Sequence, residues 1–89
     1  MNYKEVAQAI KNNEPFRHNG TMTGIINLNS EMAEQLGGKI IYEIYSYKTL
    51  IYAENIETGR HWLNLEFYSN TTSRQRGLII RAKGLIVEK

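Results

Sequence analysis

The segment YSNTTSRQR, residues 68–76, contains the densest group of side chains in this chain that could do chemistry. Five of its nine residues are serine, threonine or asparagine, and two are arginine. The segment lies between an alternating apolar stretch and a basic stretch with helical spacing, so it predicts a strand-to-helix corner. Hydroxyl and amide groups at such a corner serve either the backbone or a ligand.

Two interpretations of this corner follow from its residue types. In the first, Thr72 is the N-cap of a helix and Gln75, three residues later, reaches back to the backbone N–H of Thr72. The neighbouring hydroxyls then satisfy the remaining backbone groups. In the second, free helix N–H groups, hydroxyls and Arg74 bind a phosphate or a partner's carboxylate. The residues concerned in the capping or anion site are Ser69, Thr71, Thr72, Ser73 and Gln75.

The basic stretch that follows carries most of the positive charge. Residues 74–89 contain five bases and one acid, a net +4, whereas residues 1–73 sum to −2. On a helical wheel Ile80 falls between two bases and away from the apolar side, which indicates a contact surface. The predicted partner-binding residues of this helix are Arg74, Arg76, Ile80, Arg81 and Lys83. The alternative is a solvated, charged helix face.

Tyrosines extend the predicted contact surface. The chain has six tyrosines and one tryptophan among 89 residues. Strand periodicity over residues 40–47 places Tyr45 and Tyr47 on one face. Such side chains stack on bases in single-strand binders and anchor protein interfaces. The alternative is a half-buried sheet face whose hydroxyl groups reach water.

The composition disfavours catalysis. There is no cysteine and no aspartate, and all nine acidic residues are glutamate. Sites for hard cations usually cluster Asp and Glu, so metal-dependent nucleases and phosphatases lose support. Only two histidines, His18 and His61, are present. We therefore expect no enzymatic activity, no metal and no cofactor, with a small toxin-type ribonuclease as the remaining catalytic alternative.

The first half of the chain predicts a helix, a strand and a second, short helix. Helical spacing places one set of apolar residues on a single face: Tyr3, Val6, Ala7 and Ile10. Asn2 and Glu5 form a capping-box pattern, and residues 12–15 end the helix. A strand is expected over residues 22–28. Asn29 or Ser30 then caps a short helix that ends at residues 37–38, with Met32, Ala33 and Leu36 facing one way.

The second half predicts strands followed by a terminal helix. Residues 40–47 are β-branched and aromatic, residues 48–49 indicate a turn or bulge, and residues 50–53 pair next. After turn residues 57–59, residues 61–68 alternate, with Leu63, Leu65 and Phe67 on the core side and Trp62, Asn64, Glu66 and Tyr68 on the other. The last helix packs Leu78, Ile79 and Ala82 and ends at Gly84. Residues 85–87 fit a strand or a helical tail.

These elements predict one α+β domain over residues 1–89. We expect a small antiparallel sheet of three to five strands, with helices covering one face. The N-terminus lacks the apolar run of a signal peptide, and no stretch approaches the ~20 apolar residues of a membrane span. The absence of cysteine fits a reducing compartment. Localisation in the cytoplasm is the resulting expectation.

The chain also resembles a family of small uncharacterised proteins that are frequent in bacteriophages, plasmids and archaeal mobile elements. The resemblance is carried by S-Y-x-T-x-I at residues 46–51, by Trp62 and by Y-S-x-T-T-S-R at residues 68–74. The opening helix and the F-R-H-N-G segment at residues 16–20 are similar too. This sequence departs from the family pattern at Lys48, at Tyr52 and at Gln75-Arg76, where His-Gln is usual.

The resemblance implies a setting, since genes of this kind often encode inhibitors of host defence, including anti-CRISPR proteins. We therefore expect a non-enzymatic binding protein that acts on a host protein, such as a nucleic-acid-targeting defence effector. The alternative is a weak nucleic-acid-binding module that uses the basic helix.

Overall fold

The computed structural model describes residues 1–66 and 69–86. Within these ranges the elements are α1 (Tyr3–Lys11), β1 (Phe16–His18), β2 (Met22–Asn27), α2 (Ala33–Leu36), β3 (Ile41–Ser46), β4 (Thr49–Asn55), β5 (His61–Leu63) and α3 (Asn70–Lys83). Each strand pairs antiparallel with the next along the chain, in the sheet order β1-β2-β3-β4-β5. The predicted α+β class is confirmed.

Helix α1 forms for the local reasons that its sequence indicates. The Asn2 side chain accepts from the Glu5 backbone N–H at 2.9 Å, and the Glu5 carboxylate accepts from the Asn2 N–H at 3.0 Å. This reciprocal pair satisfies two of the N–H groups that a helix start leaves free. Val6 and Ile10 are fully buried. Tyr3, expected on the same face, is instead 62% exposed.

The sheet buries both of its faces, although unequally. Helices α1 and α3 cover the face that carries Tyr42 and Ile44, and this side holds the main core. Its fully buried members are Val6, Ile10, Met22, Tyr42, Ile44, Tyr52 and Ile79. On the opposite face the short helix α2 packs Met32 and Leu36 against the sheet. The expectation that helices cover one face therefore holds for α1 and α3 and not for α2.

The β3–β4 hairpin contains both a turn and a bulge. Tyr47 takes a left-handed conformation, with φ of 56°, in the two-residue turn. The register shifts so that Ile44 pairs with Tyr52 and Tyr45 pairs with Leu50, which leaves Ile51 as the extra residue. Because of the bulge, Ile51 and its neighbour Tyr52 both enter the main core. The turn or bulge expected at residues 48–49 is thus a turn at residues 47–48, and the bulge follows it at Ile51.

The prediction of a long strand over residues 61–68 is wrong in extent. Strand β5 ends at Leu63, and Leu65, expected in the core, is 58% exposed. The buried Asn64 explains this end: its Nδ2 donates to the Leu50 carbonyl at 3.2 Å, and its Oδ1 accepts from the Glu66 N–H at 2.9 Å. The Asn64 backbone N–H still donates to the Ile51 carbonyl at 2.9 Å, and its side chain makes the last bond to β4. The expectations for Phe67 and Tyr68 lie outside the described residues.

Helix α3 follows its prediction at the C-terminal end. Leu78 and Ile79 are buried, and Ala82 packs against the main core. Gly84 ends the helix in the left-handed conformation, with φ of 65°, which an L side chain rarely adopts. Residues 85 and 86 are neither helix nor strand, and residue 87 lies outside the described ranges.

Candidate functional site

The hydroxyl-rich corner starts α3 with a different residue from the one predicted. Ser69 is the N-cap, and its Oγ accepts from the Thr72 backbone N–H at 3.1 Å. Thr72 lies inside the helix and is buried, with its Oγ1 2.9 Å from Ser46 Oγ on β3. Gln75 does not reach back along the helix, because its Nε2 donates to Thr21 Oγ1 at 3.1 Å. The assignment of Thr72 as N-cap is therefore wrong.

One flank of α3 is held by internal contacts. Arg76 Nη1 donates to the carbonyls of Asn64 at 3.1 Å and Glu66 at 2.9 Å. Lys83 Nζ lies 3.0 Å from Glu54 Oε1, and both side chains are only about a tenth exposed. Two of the cations predicted to face a partner are thus engaged inside the protein. Ile80 between them is half-buried.

Lys83 belongs to a buried polar cluster that joins α3 and β4 to Asn13 in the turn after α1. Its ammonium also donates to Asn13 Oδ1, and Asn13 Nδ2 donates to Glu54 Oε2 at 3.1 Å. The Tyr52 hydroxyl donates to Glu54, and the Lys83 ammonium lies 5.6 Å from the Tyr42 ring centroid. Burial raises the pKa of Tyr42, and burial together with the bond to Glu54 raises the pKa of Tyr52. This cluster holds α3 and the turn after α1 to the sheet.

The predicted tyrosines do not join the basic helix in one surface. Tyr45 lies on the sheet face opposite α3, where its hydroxyl donates to Glu43 Oε1 at 3.2 Å. Burial, followed by the charge of Glu43, raises the pKa of Tyr45. Tyr47 is 59% exposed in the β3–β4 turn. The structure therefore separates these side chains from the arginines with which they were grouped.

The other flank of α3 forms a groove with the start of α1. Tyr3, Arg74, Leu78 and Arg81 line this groove, whose volume is about 370 Å³. Both arginines are exposed, and neither makes an ion pair or hydrogen bond within the part of the chain that the structure describes. We call these four residues the α1–α3 groove. It combines two free cations, an exposed aromatic ring and an apolar floor.

A smaller cavity of about 200 Å³ lies at the N-terminal end of this groove. It is lined by Tyr3, His18, Asn19, Thr21, Thr71, Arg74 and Gln75, which we call the α3 N-terminal cavity. His18 and Gln75 are more than nine-tenths buried. Among the residues that the structure describes, His18 Nδ1 and Gln75 Oε1 have no hydrogen-bond partner, which is uncommon for buried polar atoms.

The α3 N-terminal cavity contains part of the predicted capping or anion set and omits the rest. Thr71, Arg74 and Gln75 line it, Ser69 caps the helix beside it, and Thr72 bonds to the sheet instead. Ser73 is half-buried and is not among the lining residues. Tyr3 and His18 were missed, because they come from α1 and β1, more than fifty residues from α3. The strand period that pairs Phe16 with His18 on the helix-covered face was the available signal.

A larger cavity, of about 460 Å³, lies on the opposite face beside α2. Glu43, which is 2% exposed, lies in its wall. The Glu43 carboxylate accepts from Ser30 Oγ at 2.5 Å, from Asn27 Nδ2 at 2.9 Å and from Tyr45. Three neutral donors already satisfy this carboxylate, so Glu43 stabilises the fold and does not offer the cavity an open binding group.

The described residues lack the groupings expected of a metal site or of a membrane span. No three histidine or glutamate side chains there are grouped so that they could hold a metal ion. The two histidines belong to β1 and β5, the outermost strands of the sheet. No described helix has the length and apolar character needed to cross a membrane.

Comparisons with protein-family models, with curated proteins and with solved structures find no match to this chain.

Proposed function

We propose that this chain is a non-enzymatic binding protein that docks an acidic segment of a partner protein in the α1–α3 groove. The observation that supports this most directly is the pair Arg74 and Arg81, exposed and without a partner among the described residues. Seven residues of helix separate them by about 10 Å along the axis. Two carboxylates presented two helical turns apart would match this spacing.

The rest of the groove suits a protein partner. Tyr3, 62% exposed, and Leu78, 8% exposed, give the groove an aromatic wall and an apolar floor between the charges. Arginine and tyrosine are the residue types that most often dominate binding energy at interfaces. An acidic, partly apolar segment therefore finds both charge and shape complementarity in this groove.

The resemblance to proteins of phages and mobile elements supports a particular setting for the proposal. In that setting the partner is a host protein in the cytoplasm, of the kind that targets nucleic acid in defence, and binding inhibits it. This assignment of the partner depends on the resemblance, whereas the docking site depends on the contacts of α3. The two parts can be tested separately.

Binding of single-stranded nucleic acid is the second candidate, and one observation favours it: Tyr3 is an exposed ring beside two free arginines. Aromatic stacking and backbone cations are how such strands are held. Of the four bases in α3, Arg76 and Lys83 are engaged internally, so Arg74 and Arg81 remain available to a strand. Two neutralised phosphates predict a log–log salt slope of about −1.4, shallower than four bases would give.

The test compares the parent with the double charge reversal Arg74→Glu and Arg81→Glu in a pull-down from host lysate, with and without nuclease. We expect the parent to retain a protein partner after nuclease treatment and the double variant to lose it. The control is Lys39→Glu with Arg60→Glu, exposed residues that do not line the groove and that give the same change in net charge.

Circular dichroism checks that each variant folds as the parent does. Equal capture by the parent and by the groove double variant would contradict the docking site. Capture that disappears with nuclease would favour the nucleic-acid candidate instead.

A further inference from the structure

We propose that the α3 N-terminal cavity binds the phosphate of a nucleotide, with the base against Tyr3 in the adjoining α1–α3 groove. The same chemistry would be offered by a free nucleoside monophosphate or by the 5′-phosphorylated end of a single strand. This inference goes beyond the proposed partner docking, since it assigns a small-molecule site that shares Tyr3 and Arg74 with the groove and adds side chains of β1 and of the start of α3.

The first step concerns the two unpaired atoms. The side-chain nitrogen of Asn19, Nδ2, lies 3.2 Å from His18 Nε2. An amide nitrogen can only donate a hydrogen bond. In the tautomer that matches this contact, Nε2 accepts and Nδ1 carries the hydrogen. That Nδ1–H is a buried donor without an acceptor among the described residues. Leaving a buried donor unsatisfied is unfavourable, and a ligand oxygen in the cavity would relieve it.

The second step concerns the Gln75 amide. Gln75 Nε2 donates to Thr21 Oγ1, and among the described residues the Thr21 hydroxyl has one acceptor, the His18 carbonyl, at a long 3.5 Å. Rotating the amide by 180° lets Thr21 donate to Gln75 Oε1 and frees Nε2 as a donor. The oxygen and nitrogen of such an amide exchange places without changing its shape. His18 and Gln75 then both offer donors to one ligand.

The third step is electrostatic. Thr71 and Arg74 lie in the first turns of the 14-residue helix α3, and no acidic residue occupies its first turn. The helix dipole and the free N–H groups of the first turn favour an anion there. Thr71 contributes a hydroxyl and Arg74 a guanidinium that has no partner among the described residues. Four side chains can therefore all donate hydrogen bonds to a phosphate: His18, Thr71, Arg74 and Gln75.

The fourth step selects a nucleotide over a phosphorylated peptide. The cavity, at about 200 Å³, is smaller than the roughly 300–1,000 Å³ of sites that enclose a whole ligand. The group that carries the phosphate must therefore extend into the groove, past Tyr3. The Tyr3 ring is exposed on one side and lies 5.2 Å from the His18 ring on the other. An open aromatic face beside a phosphate site suits a base.

The experiment is a titration of the ¹⁵N-labelled protein with AMP, GMP, CMP and UMP, followed by NMR. Adenosine and inorganic phosphate serve as half-ligands, and a 5′-phosphorylated hexanucleotide and a phosphoserine peptide serve as alternatives. We expect at least one nucleotide to shift the signals of residues 18–21 and 71–75, and each half-ligand to bind at least about tenfold more weakly.

Two variants test the residues. Gln75→Leu and Arg74→Ala should each weaken nucleotide binding by about tenfold or more. Gln8→Leu and Arg60→Ala remove the same groups at exposed positions that do not line the cavity and should leave binding unchanged. If Gln75→Leu unfolds, Arg74→Ala, at an exposed position, still decides the test.

The outcomes separate this inference from the proposed docking. Unperturbed signals with every nucleotide, or full binding by Arg74→Ala, would overturn the inference. Phosphate binding as strongly as the nucleotides would show an adventitious ion only, and preference for the phosphoserine peptide would overturn the choice of a nucleotide. If the parent binds no nucleotide but the Arg74→Glu, Arg81→Glu variant loses partner capture, only the nucleotide site is rejected. The proposed docking site then still stands.

Discussion

Replacing Lys83 by methionine should destabilise the protein strongly, although a lysine in a basic helix looks like a surface residue. Its ammonium lies 3.0 Å from Glu54 Oε1, and the two side chains are 10% and 11% exposed. Asn13 bonds both partners, and Tyr52 donates to the same carboxylate. Methionine keeps most of the volume of lysine and removes its charge, so the change isolates the electrostatic contribution.

The expected loss follows from what the substitution leaves behind. Unit charges 3.0 Å apart attract by roughly 5–6 kcal/mol at an effective dielectric constant of about 20. Desolvation offsets part of this attraction, but removing one partner strands the Glu54 carboxylate, and such changes cost about 3–5 kcal/mol. Because both side chains retain some exposure, we expect about 3 kcal/mol for Lys83→Met. A domain of this length has about 4–13 kcal/mol of stability in total.

Urea unfolding followed by circular dichroism measures this loss as a shift of the midpoint at constant slope. Lys39→Met, at an exposed position, is the matched control and should change the free energy of unfolding by less than about 0.5 kcal/mol. Adding Glu54→Gln to Lys83→Met should restore at least about 1 kcal/mol, because the stranded charge is removed. A loss below about 1 kcal/mol for Lys83→Met would refute the buried pair and return Lys83 to the solvent-facing role that the sequence suggested.

Two further changes test the cap and the buried tyrosines. Ser69→Ala should cost about 1 kcal/mol through loss of the N-cap, whereas Thr71→Ala, at an exposed position, should cost little; equal thermal melts would contradict the cap. Burial raises the pKa of Tyr42 and Tyr52, so the folded protein keeps protons that the unfolded chain releases near pH 10. The contribution of these tyrosines to the free energy of unfolding should therefore be fully present below pH 10 and be lost as the pH rises above it. The loss should be smaller in Tyr52→Phe. Equal urea midpoints at pH 9 and pH 11 would disprove this.

The parts of the fold that were predictable are those fixed by residues close together in sequence. The capping pair of α1 spans three residues, and the left-handed stop at Gly84 depends on one residue. The alternation over residues 40–47 that placed Tyr45 on one face leaves Tyr42 and Ile44 on the other, which is the face that carries the main core. In each case the physical cause is local, so periodicity and residue type were sufficient.

The parts that were not predictable depend on distant partners. Thr72 looked like a cap because Ser46, the hydroxyl that it bonds, lies 26 residues away. Strand β5 ends early because Asn64 bonds the Leu50 carbonyl, 14 residues back. Lys83 is drawn inward by Glu54 and by Asn13, which is 70 residues away. A helical wheel records which side chains share a flank but not which flank the sheet occupies.

The contrast between local and distant partners also explains why the sequence predicts only part of the candidate site. Arg74 and Gln75 were singled out because the corner is rich in polar groups, and both line the α3 N-terminal cavity. Tyr3 and His18 line the same cavity from α1 and β1, which are distant from α3 in sequence and adjacent to it in the fold. No local pattern marks an exposed tyrosine and a buried histidine as neighbours of a helix start.

The polar side chains of helix α3 differ between its sheet side and its α1 side. On the sheet side, Thr72 bonds Ser46 and Lys83 pairs with Glu54, so these groups hold the helix in place. On the α1 side, Arg74 and Arg81 have no partner among the described residues. We therefore propose that a ligand or partner that recognises charge binds α3 on its α1 side. Substitutions on the sheet side should act through stability, whereas those at the two arginines should act through binding.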